Sequence, residues 1–227
     1  MNDLKRMKEF YRNRDNNEWS IFNCYPFFLD CKQTFLITKI LKNVNLETSK
    51  FLDIGAGEGN FIFKMMSLGT KYYNVTAIEY LEARYENLID KLPNIESIND
   101  DFLNVNIEKK YDIITLMAVL TSITDNNIRY SILEKALNSM SEGGILILYD
   151  YFNENEVFLN ENYRALSLDK VKKISENNQF VVYKNVYLRS KYAKGLCRLG
   201  LQVFIPLAEA LKIFNDSYHF VVIKNEK

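Results

Sequence analysis

Short apolar runs alternate with longer amphipathic stretches along this chain. Phe51-Leu52-Asp53-Ile54 and Val75 to Ile78 are four-residue runs of the kind that form buried strands. Between them, Phe61, Ile62, Met65 and Met66 fall at helical spacing, which predicts a helix over Asn60 to Leu68. Before residue 50, Leu29, Leu36, Ile37, Ile40 and Leu41 predict further helix. Asp125 is a candidate N-cap for a helix whose stripe Ile128, Ile132, Leu133, Ala136, Leu137 and Met140 runs to a stop at Gly143-Gly144. A further helix is expected over residues 168 to 177. Phe180 to Tyr183 with Val186-Tyr187-Leu188 reads as one more strand, and Tyr218 to Ile223 as another. Strands alternating with helices predict an α/β architecture, with no internal repeat or low-complexity linker.

Composition narrows the picture. A chain of 227 residues, 48% hydrophobic with three prolines, fits one domain with a substantial core. Its 29 basic and 29 acidic residues cancel, so it lacks the cationic excess that draws a protein to nucleic acid. Lys170, Lys172 and Lys173, and Arg189, Lys191, Lys194 and Arg198, then read as solvated helix faces. Cys24, Cys31 and Cys197 lack metal-ligand spacing and read as free thiols in a reducing cytoplasm. No cleavable leader pattern opens the chain, and no apolar run reaches the length of a membrane span. Leu199 to Phe214 is the most apolar stretch, interrupted by Gln202, Pro206, Glu209 and Lys212. It is expected as a core, lid or dimer segment, with a membrane surface or another partner as the alternatives.

The chemistry concentrates in one place. Gly55, Gly57 and Gly59 put three of the chain's eight glycines into five residues, directly after the first predicted strand. Strand, glycine turn and helix form the first half of a βαβ unit, where glycine lets the backbone take positive φ and a ligand approach closely. Glu79 follows Gly59 by twenty residues and ends the second strand, where an acid can accept hydrogen bonds from both hydroxyls of a ribose. A dinucleotide and S-adenosylmethionine both suit that geometry. The dinucleotide fingerprint wants a third glycine where this chain has Asn60, and Glu58 sets a carboxylate where a pyrophosphate would lie. Asp53 and Glu58 suit a sulfonium instead, so the charge of the loop favours S-adenosylmethionine.

These residues resemble the class I S-adenosylmethionine-dependent methyltransferases. Phe51 to Gly59 resembles the first motif of that family, and Ala77-Ile78-Glu79-Tyr80 its acidic second strand end. Asn99-Asp100-Asp101-Phe102 resembles the adenine loop, which implies the Asp101 side chain on the exocyclic amine and the Phe102 backbone on the ring. Tyr111 to Met117 resembles the fourth strand and Met140 to Asp150 the turn into the fifth. The resemblance implies a Rossmann-like seven-stranded sheet of order 3-2-1-4-5-7-6, the last strand antiparallel, with helices on both faces. It implies one domain over residues 1–227, a helical cap or lid over 1–45 and an apolar insertion over 189–216 between the last two strands. Tyr11, Arg12, Arg14 and Trp19 are candidates to cap the cleft. The cofactor-binding set is Asp53, Gly55, Gly57, Gly59, Glu79, Tyr80, Asp101, Phe102 and Met117.

On that topology the start of the last strand lies beside the end of the fifth. The only histidine, His219, then neighbours Asp150 and Tyr151, and this trio forms the candidate catalytic set. Histidine titrates near neutrality, so it can take a hydroxyl proton as the methyl group transfers; Asp150 can be the base itself or orient His219. No metal-ligand cluster is recognisable, and no metal is expected. The tail, through Tyr149-Asp150-Tyr151, Val186-Tyr187-Leu188 and Asp216 to Phe220, resembles methyltransferases encoded among bacterial O-antigen and capsule genes, as does Trp19 to Asn23. Arg189-Ser190-Lys191-Tyr192 departs from them. The expected reaction is methylation of a hydroxyl on a small molecule, a sugar or sugar-linked precursor of a surface polysaccharide, in the cytoplasm. A small-molecule N-methyltransferase and a non-catalytic cofactor-fold protein binding a partner through residues 195–214 are the alternatives. The oligomeric state is not fixed by these patterns.

Overall fold

A computed structural model describes residues 3–12, 22–212 and 214–226 of the chain. Arg14 and Trp19, proposed from sequence to cap the cleft, lie outside the described residues. Seven strands form one sheet: β1 (Phe51–Ile54), β2 (Val75–Ile78), β3 (Glu96–Ile98), β4 (Tyr111–Met117), β5 (Met140–Tyr151), β8 (Gln179–Leu188) and β9 (Asn215–Lys224). Their order is β3-β2-β1-β4-β5-β9-β8, and β9 alone runs against its neighbours, as expected. Two short strands, β6 (Phe158–Asn160) and β7 (Tyr163–Arg164), make a hairpin after β5 that the sequence pattern did not reveal.

The four residues of β1 and of β2 are all buried because helices cover both faces of the sheet. On one face, Ile37 and Ile40 of α2 (Cys24–Ile40), Ile62 and Met65 of α3 (Asn60–Ser67) and Leu88 of α4 (Glu82–Lys91) pack onto Phe51, Ala77, Ile113 and Ile147. On the other, Ile132, Leu133 and Ala136 of α5 (Asn126–Asn138) and Val171 of α6 (Leu168–Ile174) pack onto Leu52, Ile114, Leu116 and Leu148. The N-terminal region thus divides. Helix α2 belongs to a core layer, and only α1 (Asp3–Arg12) lies over the sheet edge as a cap.

Asp125 caps α5, its carboxylate accepting the N–H groups of Asn127 at 2.7 Å and Ile128 at 3.3 Å. The helix ends at Asn138, short of the glycine pair. Met140 to Gly144 instead forms the start of β5, whose register against β4 slips between Tyr111 and Ile113. Gly144 meets that slip without a side chain, since a Cβ there would lie 2.9 Å from the Ser141 carbonyl and 3.0 Å from that of Tyr111. Helix α6 begins on the Ser167 hydroxyl and stops at Ile174, three residues before the predicted end. Strand β8 is continuous, its ten residues in register with β9 throughout.

The segment between β8 and β9 forms α7 (Ser190–Arg198), a 3-10 turn over Gln202–Phe204 and α8 (Ile205–Ala210). Ala193 and Ile205 bury themselves against Tyr25 and Leu188. Among the described residues no helix is long and apolar enough to cross a membrane.

Candidate donor-binding site at the switch between strands one and four

The chain leaves β1 toward β2 on one side and returns to β4 on the other, so a crevice opens beyond their carboxyl ends. A cavity of about 350 Å³ occupies it. Gly55, Glu79, Tyr80, Asp101, Phe102 and Met117, all in the set that the resemblance assigns to the cofactor, line it. Asp53, Gly57 and Gly59 do not reach its wall; they build the loop beneath it.

The loop needs glycine for two reasons. Gly55 and Gly57 have φ of +70° and +59°, and both lack room for a side chain. A Cβ on Gly55 would sit 2.6 Å from Val119 Cγ2, and one on Gly57 would sit 2.2 Å from Arg84 Nη2. The N–H groups of Gly55 and Ala56 go to the Ile78 carbonyl, that of Gly59 to the Ala56 carbonyl, and that of Gly57 to Glu79 at 2.7 Å. With these donors spent inside the fold, the loop offers them to no pyrophosphate. The carboxylates of Glu79, Asp100 and Asp101 on the wall favour a cationic ligand instead, with Arg84 as the counterweight. The Gly57 contact shows that Arg84 lies directly over the loop, and the Tyr11 ring of α1 caps its guanidinium at 4.6 Å. Glu58 plays no part in this wall. It pairs with Lys91 at 2.7 Å in an adjoining groove, which corrects the expectation that it faces a sulfonium.

Glu79 is nearly buried and uses both oxygens on backbone, Oε2 on Gly57 N–H and Oε1 on Leu81 N–H at 2.8 Å. Asp53 sits deeper. Burial pushes its carboxyl up to about 7 and the nearby Glu79 adds to this, while the Thr115 hydroxyl at 2.6 Å on β4 opposes it. Asp101 caps its own turn by accepting the Leu103 N–H at 2.9 Å. From α5, Lys135 Nζ donates to the carbonyls of Phe102 at 2.5 Å, Leu103 at 2.9 Å and Val105 at 2.6 Å, and thereby fixes the loop. Burial lowers the pKa of this ammonium and Asp101 partly restores it.

At the end of β4, Ala118 holds a positive φ of +58° while its N–H goes to the Tyr149 carbonyl at 2.7 Å. A non-glycine residue in that conformation is strained, and here it turns the chain into the 3-10 turn Leu120–Ser122 on the cavity wall. Asp150 anchors this turn. Its carboxylate accepts the Leu120 N–H at 3.1 Å and the Thr121 hydroxyl, and it is fully buried; burial raises its pKa to about 7 against those bonds.

Asp150 and His219 face each other across β5 and β9, and Tyr151 faces Tyr218, as the topology predicted. Side-chain parity then separates them. Asp150 and His219 turn to the α5 face, where the buried His219 ring stacks on Phe152 with centroids 5.6 Å apart. Neither lines the cavity. Burial, then the Lys184 charge, lowers the His219 pKa. Asp150 is thus spent on the turn, and His219 pairs with it across the two strands on the same face of the sheet. Tyr151 and Tyr218 turn to the opposite face. Tyr218 stacks on Tyr149 at 5.4 Å and meets Tyr151 edge-on at 5.5 Å, while Met117 at the cavity wall packs beside Tyr149 and Tyr218.

Helix α1 closes the cavity from above with Met7 and Tyr11. Its Arg6 reaches the other way, donating to the Ser122 carbonyl at 2.6 Å and to the carbonyl and side chain of Asn162 at 2.9 and 3.2 Å. The β6–β7 hairpin that carries Asn162 is held by buried Arg129, which bonds Glu156 at 2.5 Å and the Arg164 carbonyl at 3.0 Å. Sequence reasoning missed Met7, Arg84 and Lys135. Arg84 alone had a local signal, as a cation five residues past the ribose acid.

No protein-family model matches the chain. It is 22% identical over 219 residues to an uncharacterized methyltransferase of Alkaliphilus oremlandii, covering 92% of this chain and 98% of that one. Among solved structures it resembles the N-methyltransferase NodS of Bradyrhizobium japonicum in complex with S-adenosyl-L-homocysteine. The TM-score there is 0.63 and the identity 15%, with 90% of this chain and all of that one covered. An S-adenosylmethionine-dependent methyltransferase of Clostridium acetobutylicum superposes over the whole of this chain and 99% of its own, with a TM-score of 0.58 and 13% identity. TehB of Haemophilus influenzae gives a TM-score of 0.61 at 15% identity over 86% of this chain, which spans only 62% of that protein. The chain therefore has the Rossmann-like fold of the class I methyltransferases.

Proposed function

We infer that this chain, having that fold, is an S-adenosylmethionine-dependent methyltransferase that acts on a small molecule. The observation that carries the reading is the wall of the cavity at the β1–β4 switch: a glycine loop with its N–H groups spent, carboxylates at Glu79 and Asp101, and no room for a Cβ at Gly55. These residues fit an adenosyl sulfonium, with Glu79 toward the ribose, Asp101 and Phe102 toward the adenine, and Gly55 and Met117 beside the amino-acid arm. When bound, that cofactor supplies a methyl group already activated by the positive sulfur. The chain's own residues then contribute orientation and exclusion of water.

The acceptor we propose is a hydroxyl of a sugar or sugar-linked molecule. Support comes from the half-buried Tyr151 and Tyr218, edge-on to each other at 5.5 Å near the end of β5, whose rings suit the apolar face of a sugar. Asp150 acts as a positioning residue that holds the turn Leu120–Ser122 from below, and His219 packs on the same face, paired with it across β5 and β9. An amine acceptor is the second reading, favoured by the likeness to NodS, an N-methyltransferase.

Calorimetry with S-adenosyl-L-homocysteine tests the cofactor, and labelled S-adenosylmethionine offered to nucleotide-sugar and amine pools tests the acceptor. The expected result is micromolar binding and label on a sugar hydroxyl. Binding with label on nitrogen selects the second reading, and absence of binding by folded protein sinks both. Tyr218→Ala is expected to raise the acceptor KM by about tenfold while S-adenosyl-L-homocysteine affinity stays unchanged.

A further inference from the structure

We propose that the segment between β8 and β9 docks this protein on an anionic lipid bilayer. Leu199, Val203, Leu207 and Leu211 recur every fourth residue and remain 73%, 72%, 60% and 61% exposed, although neighbouring Ala193 and Ile205 are buried. Phe204 and Phe214 of the same segment are about half exposed as well. So many exposed large apolar side chains gathered in one short segment mark a surface that something covers.

The charge around it names the occupant. Residues 189–214 hold five cations, Arg189, Lys191, Lys194, Arg198 and Lys212, against one carboxylate, Glu209, in a chain whose net charge is zero. That carboxylate is turned inward, only 11% exposed, where it binds Lys32 at 2.5 Å and accepts the Leu188 N–H at 3.1 Å. Arg189 pairs with Asp216 at 3.4 Å, just beyond the segment. The outward surface is therefore aliphatic and aromatic side chains rimmed by lysine and arginine, the chemistry that lies between acyl chains and anionic headgroups. A second copy of the chain is a poor occupant, because a two-fold interface would set this cationic rim against itself.

Topology adds a consequence. The segment joins the end of β8 to the start of β9, so it lies on the same edge of the sheet as the glycine loop and Met117. A docked protein turns its cavity edge toward the lipid, where a lipid-linked acceptor would be met. That last step rests on the proposed methyl transfer; docking itself does not.

The test is flotation of the full-length protein with vesicles of phosphatidylcholine alone and of phosphatidylcholine with an equal part of phosphatidylglycerol. The wild type is expected to float with the anionic vesicles, roughly tenfold less with the neutral ones, and to be released by high salt. Leu199→Ser with Val203→Ser, Leu207→Ser and Leu211→Ser, and separately Lys191→Glu with Arg198→Glu, are each expected to cut flotation by about tenfold or more. Affinity for S-adenosyl-L-homocysteine, measured alongside, should not change, which keeps loss of docking distinct from loss of fold or of donor binding. The proposal is overturned if wild type stays unbound, if it binds both vesicles equally, or if either folded variant floats like wild type. A wild-type dimer that the serine variant dissolves would assign the patch to a second copy instead. Should the serine variant not fold, the charge reversal and the salt dependence still decide.

Discussion

Glu79 accepts the Gly57 N–H at 2.7 Å, so the carboxylate that ends β2 also closes the glycine loop that follows β1. One side chain thus sets both the shape of the loop and the charge of the cavity wall. Glu79→Gln puts an amide NH2 against one of two backbone donors and removes the negative charge. Donor affinity is expected to fall by about tenfold or more, read by calorimetry with S-adenosyl-L-homocysteine. A change below twofold would contradict the assignment of the wall.

Asp53 gives a pH prediction whose sign is unusual for a carboxylate. Its folded pKa is raised to about 7 mainly by burial, whereas in the unfolded chain an aspartate ionises near about 3.9. The folded state therefore holds the proton across that window, and stability declines as pH climbs through it. Asparagine keeps the acceptor for the Thr115 hydroxyl and carries no charge. Asp53→Asn is expected to melt several degrees above wild type at pH 8, with the gap closing toward pH 4. A gap that does not vary with pH would refute the buried ionisation.

Lys135 holds the loop after β3 through the carbonyls of Phe102, Leu103 and Val105. Lys135→Met leaves those acceptors without their ammonium while preserving the stem that packs near the Phe102 ring. Stability should drop by about 1–3 kcal/mol in chemical denaturation, and donor affinity by several-fold, since Asp101 and Phe102 sit on the released loop. Unchanged donor affinity in a destabilised protein would confine the lysine to a structural role.

Asp150→Asn and His219→Ala distinguish positioning from proton transfer. Both variants should reduce turnover, because the turn Leu120–Ser122 loses its anchor or the packing under it, yet the pH dependence of the residual rate should keep the wild-type shape. Loss of one limb of that profile in either variant would restore the group as the base.

The reading from sequence succeeded where chemistry is local to the chain. Gly55, Gly57 and Glu79 announce themselves through spacing, while Asp101 and the strand order that sets His219 beside Asp150 come from the family resemblance. It did not reach the face those two present, because a strand alternates its side chains and only the docking of α5 decides which parity meets the helix. Lys135 carried no such mark; it acts from a helix on a loop that tertiary packing brings beside it. The hairpin β6–β7 escaped notice for a related reason. Its strands are three and two residues long and largely exposed, so no buried periodicity reports them.

Arg6 deserves a dynamic reading. Its guanidinium clasps the Ser122 and Asn162 carbonyls together, so it ties α1, which sets Met7 and Tyr11 on the cavity wall, to the turn after β4 and to the β6–β7 hairpin. Tightening that tie would slow the exchange of any ligand that passes α1 while shielding the cavity from water.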